Sequence, residues 1–312
     1  MFGKDLPIKE IKRFTLQRKI AAHKTLEAWQ DVPHAGVIIE LDVTNVLDFI
    51  KKIQKKPKYS DVKVTINSVM LKIIAESIKK CPDLNSHVQY NQKSNSGRII
   101  VYEDINIALP MIVPDGRTIT PVVPQVNNKS IKEICEEMIN IQKKLKNTNI
   151  DYLLFEAGYQ DTIEKLKHGH LGVLRRIIKN AIGKDKIKIP KRKELKEYDK
   201  IPDDEKLTAQ DLLSATILVS NIGPAFKDLP CYIGMLEIIP PQMTVIGLAP
   251  VRKQPVAVEK ENGEYSVEVR DILPYTVYCD HRGMDFAPAV PTLREMLRLC
   301  KNPELLLEKD EG

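Results

Sequence analysis

The chain has 312 residues, of which 43% are hydrophobic and 29% charged, and it carries a net charge of +6. It is long enough to bury a substantial core, as one large α/β domain or as two domains. No apolar run approaches the roughly 20 residues of a membrane helix, and the N-terminus lacks the apolar centre of a secretory signal. Five cysteines without a Cys-x-x-Cys spacing argue against a zinc site and indicate a reducing cytoplasm.

The positive charge is concentrated in one segment. Between Lys165 and Lys196 there are 12 Lys or Arg against two Asp or Glu. This excess is larger than the net charge of the whole chain, so the remainder is slightly acidic. One basic segment does not make the broad basic surface of a nucleic-acid-binding protein, and we expect no nucleic-acid partner.

Apolar periodicity predicts helices and strands in alternation along most of the chain. The predicted helices are 11–29, 46–53, 69–80, 131–145 and a last helix from about 288 to 299. The predicted strands are 37–43, 99–102, 105–113, 120–123, 215–220, 243–248, 256–258, 266–269 and 273–278.

The last predicted strand leads into Tyr278-Cys279-Asp280-His281-Arg282-Gly283-Met284-Asp285-Phe286, just before the last helix. A histidine on such a loop is placed to meet a ligand, and its ordinary pKa suits proton transfer near neutral pH. The competing interpretation of His281 and Asp285 at this spacing is a structural pair.

Other catalytic signatures are missing from the sequence. It contains no Gly-x-Gly-x-x-Gly or Walker loop and no Gly-x-Ser-x-Gly nucleophile elbow, so an acyl-enzyme route is not indicated. His168-Gly169-His170 falls in the basic segment and is better interpreted as a loop than as a ligand pair. We expect no metal.

Several motifs occur together in one order. They are Pro33-His34, Pro82-x-x-Asn85, Pro114-Asp115-Gly116, Thr120-Pro121-Val122, Ser220-Asn221-Ile222-Gly223, His281-x-x-x-Asp285 and Asn302 to Leu306. This set resembles the catalytic domain of the dihydrolipoyl acyltransferases of 2-oxo acid dehydrogenase complexes, and chloramphenicol acetyltransferase, from about residue 11 to 307. The serine segment is similar to their Ser-Asn-Leu-Gly, and the histidine motif to their His-x-x-x-Asp-Gly.

The resemblance implies an α/β fold, a chloramphenicol acetyltransferase-like two-layer sandwich with a mixed sheet, in one catalytic domain spanning 1–312. It also implies a homotrimer. His281 would take the proton of a thiol, of coenzyme A or of dihydrolipoamide, and Ser220 would stabilise the oxyanion. The two residues would come from neighbouring subunits.

The same resemblance implies supporting roles. Asp285, the third member of the catalytic group, would anchor the loop through an ion pair with Arg18 of the first helix. Asn221 would support the serine. His34 and Asn85 are more often structural than catalytic in such settings. Phe286 stands where the family has glycine, which puts the acyl specificity in doubt.

Residues 151–206 are predicted to be a basic insertion, because the family has only a short connector there. It contains an amphipathic helix, 171–182, followed by a charged linker. Three roles are open: packing on the chain's own trimer with a solvated basic face, steering an acidic lipoyl carrier protein, or lying on an anionic membrane surface through 171–196. We expect a cytoplasmic protein, and the membrane role of 171–196 would place it peripherally at the membrane.

The acceptor remains open at the level of sequence. We expect no lipoyl domain and no subunit-binding domain before the catalytic region, so that the lipoyl group would act in trans on a separate protein. One alternative is coenzyme A-dependent transfer to a hydroxyl or amine of a small molecule or lipid. Another is a non-enzymatic trimeric scaffold. Because a charged tail, 308–312, follows Leu305 to Leu307, we expect assembly to stop at the trimer.

Overall fold

The structure is a computed structural model that describes residues 6–113, 115–167, 196–260 and 262–308. Its helices are α1 (Leu16–Asp31), α2 (Thr44–Gln54), α3 (Ile66–Ile78), α4 (Ile131–Lys146), α5 (Ile150–Lys167), α6 (Gln210–Leu213), α7 (Val290–Lys301) and α8 (Leu305–Glu308). Its strands are β1 (His34–Asp42), β2 (Ser86–Asn91), β3 (Ser96–Val101), β4 (Ile107–Ala108), β5 (Met111–Ile112), β6 (Thr118–Ile119), β7 (Val122–Val123), β8 (Ile217–Asn221), β9 (Thr244–Leu248), β10 (Arg252–Glu259) and β11 (Tyr265–Asp280).

One mixed sheet of seven strands organises the domain. Its order is β1-β11-β9-β8-β4-β7, with β10 also paired to β11. β8 runs parallel to β4 and to β9, and the remaining pairs are antiparallel. The predicted α/β two-layer fold with a mixed sheet is confirmed.

Helices cover one face of this sheet. The main core joins side chains of α2, α3, α4 and α7 to the strands, and every residue of α3 from Ser68 to Ile78 is buried. A helix that is surrounded by the core is apolar on most of its faces. This agrees with the apolar run that predicted α3.

The opposite face of the sheet, here called the outer face, is partly open. Along β1 the exposed residues alternate, with Gly36, Ile38 and Glu40 outward and Leu41 buried in the core. Because residues aligned across neighbouring strands share a face, Ile38, Thr276, Gly247 and Ser220 form one row across the outer face.

Several predicted boundaries are wrong, and two of these differences have a clear physical cause. Helix α1 begins at Leu16 and not at Ile11, because the Thr15 side chain accepts the Arg18 N–H and caps the helix there. The predicted strands 266–269 and 273–278 are one strand, β11, since β10 pairs with its first half where β1 and β9 pair with its second half.

Helix α5 shows how the predicted insertion, 151–206, joins the domain. Ile150 and Leu153 of α5 are buried in the main core. Nζ of Lys24 in α1 lies 3.2 Å from Oδ1 of Asp161 in α5. The segment therefore starts within a helix that packs on the body of the domain. The predicted helix 171–182 lies outside the described residues.

Candidate active site

His281 stands directly after the end of β11. Its N–H donates to the Pro33 carbonyl at 2.8 Å, and the Gly283 N–H donates to the Asp280 carbonyl at 2.9 Å. A Cβ at Gly283 would lie 2.4 Å from Cε of Met243, so a larger residue there would require the Met243 side chain to move. The turn thus leaves the imidazole half exposed at the end of a buried strand, where a substrate can reach it.

Asp285 lies beside this imidazole. Its Oδ1 is 3.5 Å from Nδ1 of His281, and its side chain is 83% exposed. A carboxylate in this position favours the proton on Nδ1 and leaves Nε2 as the base. The arrangement has the chemistry of a general base with an orienting acid group.

The predicted ion pair between Arg18 and Asp285 is not formed in the described chain. Arg18 is an exposed residue of the first turn of α1, and its guanidinium forms no ion pair with any described residue, although its backbone N–H bonds to Thr15. The short turn after β11 brings Asp285 to His281 instead, because residues four positions apart in a turn lie close together. The anchoring role predicted for Arg18 is therefore wrong within one chain.

Sequence reasoning missed a second carboxylate next to His281. Asp280 is 1% exposed, and the Arg282 guanidinium donates to it from Nε at 3.0 Å and from Nη2 at 2.6 Å. The guanidinium also lies 5.9 Å from the centre of the Tyr90 ring. The sequence pattern that indicates this pair is an aspartate and an arginine two residues apart at the end of an otherwise apolar strand.

Ser220 is the fourth residue of β8 and faces outward, half buried. Within the described residues its hydroxyl makes no hydrogen bond, so it can donate to a ligand. The next residue, Asn221, accepts the Gly223 N–H at 2.8 Å and donates to Oδ1 of Asn67 at 3.2 Å. Asn221 thereby ties the end of β8 to the start of α3.

A single chain does not bring Ser220 and His281 together. Ser220 aligns through Gly247 with Thr276, which lies two strands away and five residues before His281. At the usual strand dimensions the two residues are about 19 Å apart. No thiol could touch both within one subunit.

Two other predicted motif residues have structural contacts. The amide of Asn85 is 2% exposed and donates to the carbonyls of Tyr102 and Asp104 at 2.9 and 3.0 Å. Phe286 is partly buried against the main core. The Asn85 contacts do not involve the His281 turn.

A cleft of about 870 Å³ opens at the carboxyl ends of the parallel strands β4 and β8. Asn221 lines it, next to Ser220 in sequence. Its other walls come from the β5–β6 hairpin, from the end of α4 and from the start of α5. Ligands of α/β proteins commonly bind outside the carboxyl ends of parallel strands.

Within the described ranges, no cluster of three or more His, Cys, Asp or Glu side chains could hold a metal ion. Nor does any helix in them have the length and apolarity to cross a bilayer.

The model of the catalytic domain of the 2-oxoacid dehydrogenases acyltransferase family matches residues 7–156 and 171–308. The chain belongs to this family. Between the two matched ranges, residues 157–170 are unaligned, and these lie within the predicted insertion.

Named relatives agree with the family. The dihydrolipoyllysine-residue acetyltransferase component of the pyruvate dehydrogenase complex of Staphylococcus epidermidis is 22% identical over 95% of this chain and 52% of its own length. The Rickettsia prowazekii protein of the same name is 29% identical over 45% of this chain and 33% of its own. This chain thus spans about half, or less, of the curated relatives it matches.

Solved structures share the fold. The dihydrolipoamide acetyltransferase of Azotobacter vinelandii aligns with a TM-score of 0.66 and 20% identity, over 98% of this chain and 96% of that one. A truncated catalytic core of the 2-oxoacid dehydrogenase complex of Thermoplasma acidophilum gives 0.60 and 19%, over 95% and 99%. At these identities the likeness shows the fold alone.

Proposed function

We propose that this protein is an acyltransferase that moves an acyl group between coenzyme A and a dihydrolipoyl group. The observation that carries the proposal is the His281 imidazole, half exposed with Asp285 beside Nδ1, in a member of an acyltransferase family. Named relatives are acetyltransferase or acyltransferase components of dehydrogenase complexes.

The reaction is direct transfer between two thiols. Nε2 of His281 takes the proton of the attacking thiol, and the sulfur forms a bond to the thioester carbonyl carbon. The carbonyl oxygen becomes an oxyanion that accepts a hydrogen bond from the Ser220 hydroxyl. When the bond from carbon to the leaving sulfur breaks, that sulfur takes the proton back from His281. A base is needed because a free thiol is mostly protonated at neutral pH.

The two catalytic side chains belong to different subunits in this proposal. About 19 Å separates them in one chain, so the site is complete only where the outer face of one copy meets the His281 turn of another. A homotrimer supplies three such sites by one repeated contact.

The structural relative from Azotobacter vinelandii supports the choice of residues. A serine, a histidine and an asparagine were studied for their part in its catalytic mechanism, and the asparagine follows the histidine by four positions. Ser220, His281 and Asp285 have the same order and the same final spacing. Aspartate in place of asparagine adds a negative charge beside the base.

The cleft beside Asn221 is the proposed place for the coenzyme A arm. Its walls are mostly apolar, with amide side chains such as Gln142 and Asn149 suited to the amides of pantetheine. Lys146 lines it, forms no ion pair with the acidic residues that the structure describes, and can meet a phosphate.

The basic segment offers further partners. Residues 168–195 lie outside the described residues, so docking to an acidic lipoyl carrier or to an anionic membrane surface stays a prediction. The cytoplasmic, peripheral location stays one as well.

Subunit complementation tests the shared site. His281→Ala and Ser220→Ala chains, each alone, should lose at least ~10²-fold in turnover. In trimers co-assembled at random from both, one contact in four joins an intact His281 to an intact Ser220. We therefore expect about a quarter of wild-type activity to return.

The assay is thiol release from a series of acyl-coenzyme A chain lengths, with and without dihydrolipoamide. If mixed assemblies are no more active than either parent, the shared site is wrong. If dihydrolipoamide never accelerates release although hydroxyl or amine acceptors do, the acceptor class is wrong.

A further inference from the structure

A short irregular segment, residues 231–239 and here called the strap, crosses the outer face beside Ser220. Its Ile233 and Leu236 lie against Gly247, the register neighbour of Ser220. A Cβ on Gly247 would sit 2.7 Å from Cδ1 of Leu236 and 2.9 Å from Cδ1 of Ile233. The strap therefore forms the wall next to the serine hydroxyl.

Side chains from the sheet hold the strap, which has no regular backbone pairing of its own. Thr276 donates to the Ile233 carbonyl at 2.8 Å, and the Tyr278 hydroxyl donates to the Gly234 carbonyl at 2.7 Å. At the far end the Ile238 N–H donates to Nε2 of His34 at 2.9 Å.

Both ring nitrogens of His34 are occupied. Nδ1 lies 2.7 Å from the Val32 carbonyl, which can only accept, while the Ile238 N–H can only donate. These partners require a neutral imidazole with its proton on Nδ1. A proton on Nε2, in the other tautomer or in the imidazolium, would point at the hydrogen of the Ile238 N–H. In the other tautomer, the lone pair of Nδ1 would also face those of the Val32 carbonyl.

His34 also adjoins the turn that carries the catalytic base. It is the register partner of Asp280, and the preceding carbonyl, of Pro33, accepts the His281 N–H. Two consecutive residues thus touch both the His281 turn and the strap beside Ser220.

We propose that His34 is a positioning residue for acyl transfer. Its neutral imidazole holds the end of the strap at a fixed position relative to the His281 turn. Because the strap forms the wall beside Ser220, the position of that wall is fixed as well. The proposal rests on the function proposed above. In that function the two ends serve neighbouring sites, so one imidazole keeps parts of two sites in place.

Two substitutions of His34 distinguish its hydrogen bond to Val32 from its hydrogen bond to Ile238. His34→Asn keeps a donor near the position of Nδ1 for Val32 but loses the acceptor for Ile238. His34→Gln keeps an acceptor near the position of Nε2. His87 is the matched control, because it is a half-buried histidine with both nitrogens engaged, by the Ala215 carbonyl at 3.0 Å and the Tyr102 hydroxyl at 2.8 Å.

Turnover and KM are measured on the full chain in its assembled state, with an acyl-coenzyme A and dihydrolipoamide. We expect His34→Asn to lower kcat about tenfold with little change in KM, and His34→Gln to stay within about threefold of wild type. His87→Asn and His87→Gln should both stay within about threefold at a similar melting temperature.

Hydrogen exchange at the Ile238 amide gives a readout that does not need activity. It should be slow in the wild type and in His34→Gln, and about tenfold faster or more in His34→Asn. Equal exchange in the two His34 variants would overturn the proposal. So would a kcat loss in His34→Asn no larger than in His87→Asn. A wild-type chain without transferase activity but with the expected exchange pattern would instead count against the proposed function alone.

Discussion

At the scale of single residues, the surroundings of His281 divide into exposed and buried parts. Asp285 is largely in solvent, whereas Asp280 is buried with Arg282. An exposed carboxylate can favour one tautomer of the neighbouring imidazole. It adds little to the stability of the fold, because solvent screens its charge. A buried charge that loses its partner costs much more.

Asp285→Ala should therefore act on catalysis and not on folding. We expect kcat to fall about tenfold, since the imidazolium formed during transfer loses a neighbouring negative charge. The free energy of unfolding should change by less than ~0.5 kcal/mol. Steady-state kinetics and thermal melting measure the two effects, and Arg18→Ala is the control that should change neither. A marked loss of stability in both variants would restore the Arg18 anchor.

The cysteines differ in reactivity for the same reason of burial. Cys279 is buried two residues before His281, and burial raises the pKa of its thiol to about 11, so only roughly 10⁻³ of it is thiolate near pH 8. Cys231 is only half buried. Iodoacetamide should label Cys231 first, as read by peptide mass spectrometry of the folded protein. Early labelling of Cys279 would mean that the end of β11 opens readily.

At the scale of elements, helix α5 forms part of the cleft through one arginine. Arg117 of the β5–β6 hairpin region donates to Asp115 at 2.7 Å and to Asp151 of α5 at 2.6 Å. The guanidinium thereby joins two walls of the cleft that come from distant parts of the chain. A planar cation with several donors suits such a bridge.

Asp151→Asn should loosen these walls. We expect KM for the acyl-coenzyme A to rise about threefold with kcat nearly unchanged, because uniform binding and not the transition state is affected. Asp161→Asn is the control on the same helix, since Asp161 pairs with Lys24 of α1 and not with the cleft. Equal KM values in the two variants would show that the cleft does not hold the substrate.

At the scale of the whole molecule, the outer face has to be covered for the proposed site to exist. Ile38 is 40% exposed and stands in the same row as Ser220. An apolar side chain in this place gains free energy when a second copy removes it from water.

Ile38→Glu should separate the copies while leaving each one folded. We expect light scattering to report a mass near that of one chain, 35.5 kDa, and transferase activity to disappear. Leu297→Glu is the control, because Leu297 is 48% exposed on α7, on the helical side of the sheet. Wild-type activity in a monomeric Ile38→Glu would contradict the shared site.

The sequence by itself determined the parts of this protein that depend on neighbours along the chain. The alternation in β1 and the apolar length of α3 are local patterns that predicted these elements, and the family resemblance carried by the Ser220 and His281 motifs implied the fold class and the candidate catalytic residues. Only the tertiary structure decided which side chains meet. Asp285 faces His281 and not Arg18, β11 continues as one strand because three strands pair along it, and α5 packs in the main core. It also sets Ser220 and His281 about 19 Å apart through the register of β8, β9 and β11. The physical reason is that strand register and side-chain pairing arise from contacts between residues far apart in sequence. Local periodicity carries no information about such contacts.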